Sequence, residues 1–242
     1  MEYFGRFANF AQLRGFLQNE LQKHLFAVPH KSDQAKKYRF EHCLRVAKIG
    51  REVAYADSTN TRPLDPQLLE IGCLLHDIGK WDATVPVDHG RAGALIAYPL
   101  LREAGLPQVL CQEIAQGIAM HVDTFWNPGF NGGTFENRAG EKYFRFDCEP
   151  TLLARLIGQC DDIDRFSTYR IFDTLNYYKF LELSSEKQIA WIDGYLLSLE
   201  SESGKIRSTE TLRRRWKENI DYQRHYFQRL RSEIADGENR DA

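Results

Sequence analysis

Apolar residues recur at helical spacing along almost the whole chain, and the strict alternation that a half-buried strand requires is nearly absent. The periodicity predicts helices near 8–26, 36–56, 65–79, 89–105, 108–122, 150–164, 167–182, 185–202 and 207–234. The fold class it implies is all-α. Pro63, Pro66 and Pro107 fall at helix starts or just before them, where a missing N–H costs nothing. Gly79 and Gly105 stand where two helices should stop. The expected organisation is a helical extension over 1–35, a central bundle over 36–182 and a second helical extension over 183–242.

One stretch breaks the pattern. Residues 123–150 contain Trp126-Asn127-Pro128-Gly129-Phe130-Asn131-Gly132-Gly133 and then Tyr143-Phe144-Arg145-Phe146. They should form a long irregular loop with a short hairpin, and loops of this length are usually functional. Trp126, Phe130 and Tyr143 would then stack a base, cover a small substrate or simply pack a flap over the bundle. In the last helix Leu212, Trp216, Ile220 and Phe227 share a face, which either packs on the bundle or meets a partner such as a second copy.

Charge and cysteine content exclude several function classes. A formal charge of -2 over 242 residues gives no footprint for non-specific nucleic-acid binding. Cys43, Cys73, Cys111, Cys148 and Cys160 are odd in number and never spaced as CxxC, so neither a disulfide framework nor a zinc knuckle is expected. Reduced cysteines and the lack of a signal-like start suggest a cytoplasmic protein. The longest apolar runs, Ile71–Leu75 and Ala92–Leu101, are too short to span a bilayer.

The chemistry concentrates in one helix and its neighbours. Residues 65–79 are apolar almost all round, so the helix is buried, yet His76 and Asp77 sit near its end. A buried ionised Asp must be paired or must bind metal. Four other helices repeat the theme. His42 heads a stripe with Val46, Ile49 and Val53, and His121 ends one with Leu110, Ile114 and Ile118. Asp161 shares a face with Leu153 and Ile157, with Asp164 a turn beyond, and His89 opens a helix beside Gly93 and Ile96. Gly93 would let another backbone come close. Imidazoles and carboxylates converging in this way suit Mn, Fe, Co or Zn.

These residues resemble the HD-domain superfamily of metal-dependent phosphohydrolases. The matching text is YRFEHCLRVAKIGREVA, LEIGCLLHDIGKWD, DHGRAGALIAYPLL, EIAQGIAMHVD and LIGQCDDID, over about residues 38–166. The resemblance implies an HD-domain helical bundle in which His42, His76, Asp77 and Asp161 hold one divalent metal, with His89 and His121 adding a second bridged by Asp77. Aligning CDDID with the family's alanine–Asp–x–Leu–Asp segment selects Asp161, with Asp162 as the competing choice and Asp164 supporting the ligands from behind. The dinuclear form occurs in HD-GYP cyclic-dinucleotide phosphodiesterases, diadenosine tetraphosphate hydrolases and mixed-valent diiron oxygenases. The chain departs from the first where Val122 follows His121, and from the second in its 123–150 loop and long C-terminal extension.

The implied activity is hydrolysis of a phosphate ester or anhydride, of a nucleotide or related small phosphorylated compound, by water activated on the metal. Lys80, three residues past Asp77, is positioned to act on the substrate phosphate. Arg165 is a further phosphate-binding candidate, Arg91 and Arg170 are weaker ones of the same kind, and Trp126 is a contact for the rest of the substrate. Two other readings stand beside it: a mixed-valent diiron oxygenase of the same superfamily, and a non-catalytic nucleotide sensor.

Overall fold

The structure, a computed structural model, describes residues 4–58, 64–205 and 207–238. Pro63 and the first three residues, on which two sequence expectations rest, lie outside them. Among the described residues there are nine α-helices and no strand. They are α1 (Phe10–Phe26), α2 (Asp33–Asp57), α3 (Pro66–Leu75), α4 (His89–Glu103), α5 (Gln108–Met120), α6 (Leu152–Arg165), α7 (Thr168–Tyr177), α8 (Ser185–Ser203) and α9 (Glu210–Glu238). None is long and apolar enough to cross a membrane.

The chain forms two compact units, Met1–Asp161 and Asp162–Ala242. This boundary differs from the expected one for a physical reason. Leu13, Leu17, Leu21 and Leu25 of α1 recur every four residues and are all buried, and α1 packs on α2 and α3. The N-terminal helix is therefore part of the first core and not an appendage to it. In the second unit Ile171 of α7 joins Phe180, Ile192 and Phe227 in one cluster, so α7 belongs with α8 and α9. The α9 stripe of Leu212, Trp216, Ile220 and Phe227 is buried within the chain.

The first unit is organised around α3. Asp65 caps it by accepting from the Gln67 and Leu68 amides, and Pro66 follows at the first helical position. Every residue from Leu68 to Leu75 is buried. One of them is Glu70, whose carboxylate lies 2.5 Å from Arg14 of α1. α2 and α5 flank α3, and α4 packs on α5.

α3 ends at Leu75, four residues earlier than expected. Beyond it the amides of Ile78 and Lys80 bond back to Leu75 and Asp77 at i−3, a tighter winding than the α-helix. Gly79 is thus not the helix stop. Its role is close approach: a Cβ there would lie 2.1 Å from the Gly93 backbone nitrogen, so only glycine lets this turn rest on α4. Gly158 of α6 does the same work against His121, whose Cα would lie 3.0 Å from an added Cβ.

Residues 123–150 are ordered by specific ties, with a single antiparallel bridge between Glu136 and Lys142 as the hairpin. Arg91, 1% exposed, bonds Asp88, both carboxylate oxygens of Asp123, and the Phe125 and Asn127 carbonyls. Asp88 in turn accepts from the Thr134 amide and hydroxyl. Tyr143 is buried against Ala83, Ala92 and Leu95, and Phe130 is exposed and stacks on Phe125. Among the five cysteines Cys43, Cys73, Cys111 and Cys160 are buried and Cys148 is exposed, all as free thiols.

Candidate metal centre

Each expected ligand occupies the inward face or the end of a buried helix, and the packing around α3 brings their reactive atoms together. Asp77, 2% exposed, is the hub. Its Oδ2 lies 3.6 Å from His42 Nε2 and 3.5 Å from His76 Nε2. Asp161 completes this side, its Oδ1 being 3.0 Å from His42 Nε2 and 3.6 Å from His76 Nε2. The other carboxylate oxygen, Oδ1, lies 3.0 Å from His89 Nε2 and 3.5 Å from His121 Nε2. The two histidine pairs each have their Nε2 atoms 3.1 Å apart, His42 with His76 and His89 with His121.

The tautomers are set by backbone carbonyls. His76, His89 and His121 each donate from Nδ1 to a carbonyl three residues back, at Cys73 (2.7 Å), Pro86 (2.6 Å) and Ile118 (2.7 Å). A carbonyl can only accept, so Nδ1 carries a proton, and in the neutral ring Nε2 presents a lone pair to the centre. His89 therefore cannot donate to Asp77, and Asp77 Oδ1 is a buried acceptor without a hydrogen-bond donor among the described residues. Lone pairs and carboxylate oxygens facing one another at these distances repel unless a cation lies among them. Ligand atoms about 2.1 Å from a common ion sit roughly 3.0 to 3.4 Å apart at the usual coordination angles, close to the separations found here. The donor set fits a divalent metal on either side of Asp77. Two groups of metal-ligand geometry emerge, His42–His76–Asp161 and His76–Asp77–His121.

Ionisation states suit the same purpose. Burial alone would raise the Asp77 pKa, but Arg39 and then Lys80 outweigh it and hold the carboxyl well below the usual carboxylate range. Burial pushes the His89 imidazole down to about 4, against the pull of Asp77. Metal ligation needs an ionised carboxylate and a neutral imidazole, the states favoured at Asp77 and His89.

The remaining expected residues divide. Lys80 is at the centre, its Nζ 3.2 Å from His89 Nε2 and 3.7 Å from Asp77 Oδ1. Asp161 and not Asp162 faces the histidines, and Asp162 pairs with Arg207 at 3.1 Å. Asp164 is buried and Arg165 exposed beside the Phe166 ring, both in the second unit. Arg91 is not a phosphate ligand: its guanidinium is sealed from solvent and consumed by the loop ties. Trp126 does not line the cavity beside the centre, and the carbonyls on both sides of it are held by Arg91.

Two features were not anticipated. Arg39, one turn before His42, contacts Asp77 Oδ2, and its Nε is buried without a hydrogen-bond partner. The spacing of three residues to His42 on one helix is the sequence signal that could have revealed it. The second is a cavity of about 440 Å³ that reaches Lys80 and His89 and is lined by Trp81, His30, Lys31 and Arg138. These residues lie in connecting segments, where periodicity is silent.

A helical bundle with a buried histidine–aspartate centre of this kind defines a class of metal-binding proteins. The chain belongs to the HD domain family, whose model matches residues 39–165, just over half of it. HD domains bind divalent metals. A predicted HD superfamily hydrolase from an uncultured Thermotogales bacterium has a similar fold, with a TM-score of 0.56, 21% identity and coverage of 92% of both chains. An uncharacterized protein of Methanocaldococcus jannaschii is 40% identical over 70 residues, which is 29% of this chain. The match spans 38% of that relative's length.

Proposed function

We propose that the chain is a metal-dependent phosphohydrolase that cleaves an ester or anhydride bond of a small phosphorylated compound, with nucleotides as the leading substrate class. The observation that carries this is the division of Asp77 between two sets of imidazoles, one oxygen to each. His42, His76, Asp161 and Asp77 would hold one divalent ion, and Asp77, His89 and His121 a second. Mn, Fe, Co and Zn all suit this donor set. When bound, such ions polarise phosphate oxygens and lower the pKa of water.

The chain's own side chains supply the rest. Lys80 stands at the cavity end of the centre and contacts a phosphate oxygen, offsetting the charge that develops there. Burial lowers the Lys80 pKa, while Asp77 supports the charged form. Arg39 holds Asp77 ionised and keeps one N–H for a further acceptor. The carbonyls behind His76, His89 and His121 keep the rings oriented through turnover.

The test is phosphate release from a panel of nucleotides and phosphoesters with Mn, and with Fe under anaerobic conditions, beside an Asp77→Ala control. Release by the native chain and not by the control supports the proposal. The same six-residue donor set also suits a mixed-valent diiron oxygenase. Oxygen uptake with reduced iron, without phosphate release, would favour that reading instead.

A further inference from the structure

The cavity beside the His89 side holds more positive charge than a single phosphate calls for. Lys80 already serves the end nearest Asp77. Farther along the wall stand Lys31, Arg138 and His30. The acidic group in the lining, Asp123, is neutralised by buried Arg91 at 2.9 Å and leaves the cavity basic.

Of the two full cations, Arg138 is held in place by hydrogen bonds. Arg138 donates its backbone N–H to the Asp82 carbonyl (3.0 Å) and its Nε to the Ala83 carbonyl (3.0 Å). Its two terminal nitrogens make no hydrogen bond to protein among the described residues. That is the fork with which arginine grips a phosphate or carboxylate. Lys31 lies with its Nζ 6.0 Å from the centre of the Trp81 ring and has no carboxylate partner among the described residues. Arg138 is therefore fixed against the segment from Trp81 to Ala83, which directly follows Lys80, and Lys31 stands near the Trp81 ring. A volume of about 440 Å³ is within the range of small-molecule sites.

We propose that this cavity is a recognition subsite for a second anionic group of the substrate, a phosphate or a carboxylate distal to the bond that is cleaved. Arg138 and Lys31 bind that group, and the Trp81 side chain walls the space between the two anionic ends. The preferred substrate class is then a bis-anionic small molecule rather than a simple monophosphate. This proposal rests on the phosphohydrolase reading for the site of cleavage, but its geometry can be tested without turnover.

The experiment is calorimetric titration of the full chain, in EDTA, with adenosine 3′,5′-bisphosphate and with adenosine 5′-monophosphate. The bisphosphate should bind at least about tenfold more tightly, the usual scale for one additional charge-assisted contact. Arg138→Gln and Lys31→Ala should each pull the ratio of the two dissociation constants toward one, and Arg138→Lys should restore part of it. Lys142→Ala, an exposed lysine of the same loop outside the cavity lining, should leave the ratio as it is. A ratio near one in the native chain, or a ratio that survives both substitutions, overturns the subsite. If the ratio behaves as expected while no phosphoester is hydrolysed with any metal, the subsite stands and the hydrolase reading falls.

Discussion

The two sides of Asp77 share one carboxylate but are built differently. On the His42 side three further donors converge, His42, His76 and Asp161; both histidine side chains are at most 3% exposed, and Asp161 is 23% exposed. On the His89 side only two imidazoles converge, and Lys80 stands against them. That side also opens to the cavity through His89, whose side chain is 9% exposed. Under the proposed reading, an ion with four protein ligands would be the more firmly held. An ion with three, next to a cation and an opening, keeps positions for substrate. Under that reading the difference in donor number would place retention on the His42 side and exchange on the His89 side.

The largest expected effect comes from removing what the sides share. Asp77→Ala should reduce bound metal to near zero and phosphate release by at least about 10³-fold, with helicity retained, as measured by elemental analysis and circular dichroism. A variant that kept one ion per chain would show that the sides do not depend on a common carboxylate.

Next is the asymmetry itself. A chelator should withdraw metal from the native chain in two phases, the faster from the His89 side. His121→Ala should leave about one ion per chain and abolish the fast phase. Unchanged stoichiometry would make His121 a substrate contact or a core residue.

A third effect falls on the scaffold of the exchange side. Asp88 precedes His89 and Asp123 lies two residues past His121, and Arg91 ties both together. Arg91→Met would leave the buried Asp88 and the partly buried Asp123 without their cation, a loss of about 3 to 5 kcal/mol. The melting temperature should fall on the order of 10 °C, and the His89-side ion should be lost more easily. A variant with native stability would mean that the loop is held by its other contacts.

The smallest effect is on acid stability after the metal is stripped. His89 titrates near 4 in the fold against 6.5 as a free side chain. Between these values the unfolded chain binds the extra proton, so stability is present above about 6.5 and falls as pH drops toward 4. Asp77, held below the usual carboxylate range, adds a loss in the same direction at still lower pH. Urea titrations across this range read the slope, and a flat profile would contradict the buried neutral state of His89.

The candidate ligands were legible in the sequence because each sits on or at the end of an apolar helical stretch, where a His or Asp is conspicuous. His42 above Val46 and Val53, and His121 below Ile114 and Ile118, are the plainest cases. The choice of Asp161 over Asp162 came from the resemblance and agrees with the distances to His42 and His76. The sequence was less informative where tertiary contacts decide the outcome. Arg91 has the look of a phosphate clamp, and only the position of Asp123 and the 125–127 carbonyls turns it into a buried tie. The Lys31–Trp81–Arg138 wall is assembled from three separate connecting segments. The early end of α3 follows from the i−3 bonds around Asp77, which no propensity encodes.

The most direct test of the divided centre is anomalous scattering from crystals loaded with manganese. Two peaks are predicted, one enclosed by His42, His76 and Asp161 and one by His89 and His121, with Asp77 between them. A single peak, or none near Asp77, would contradict it.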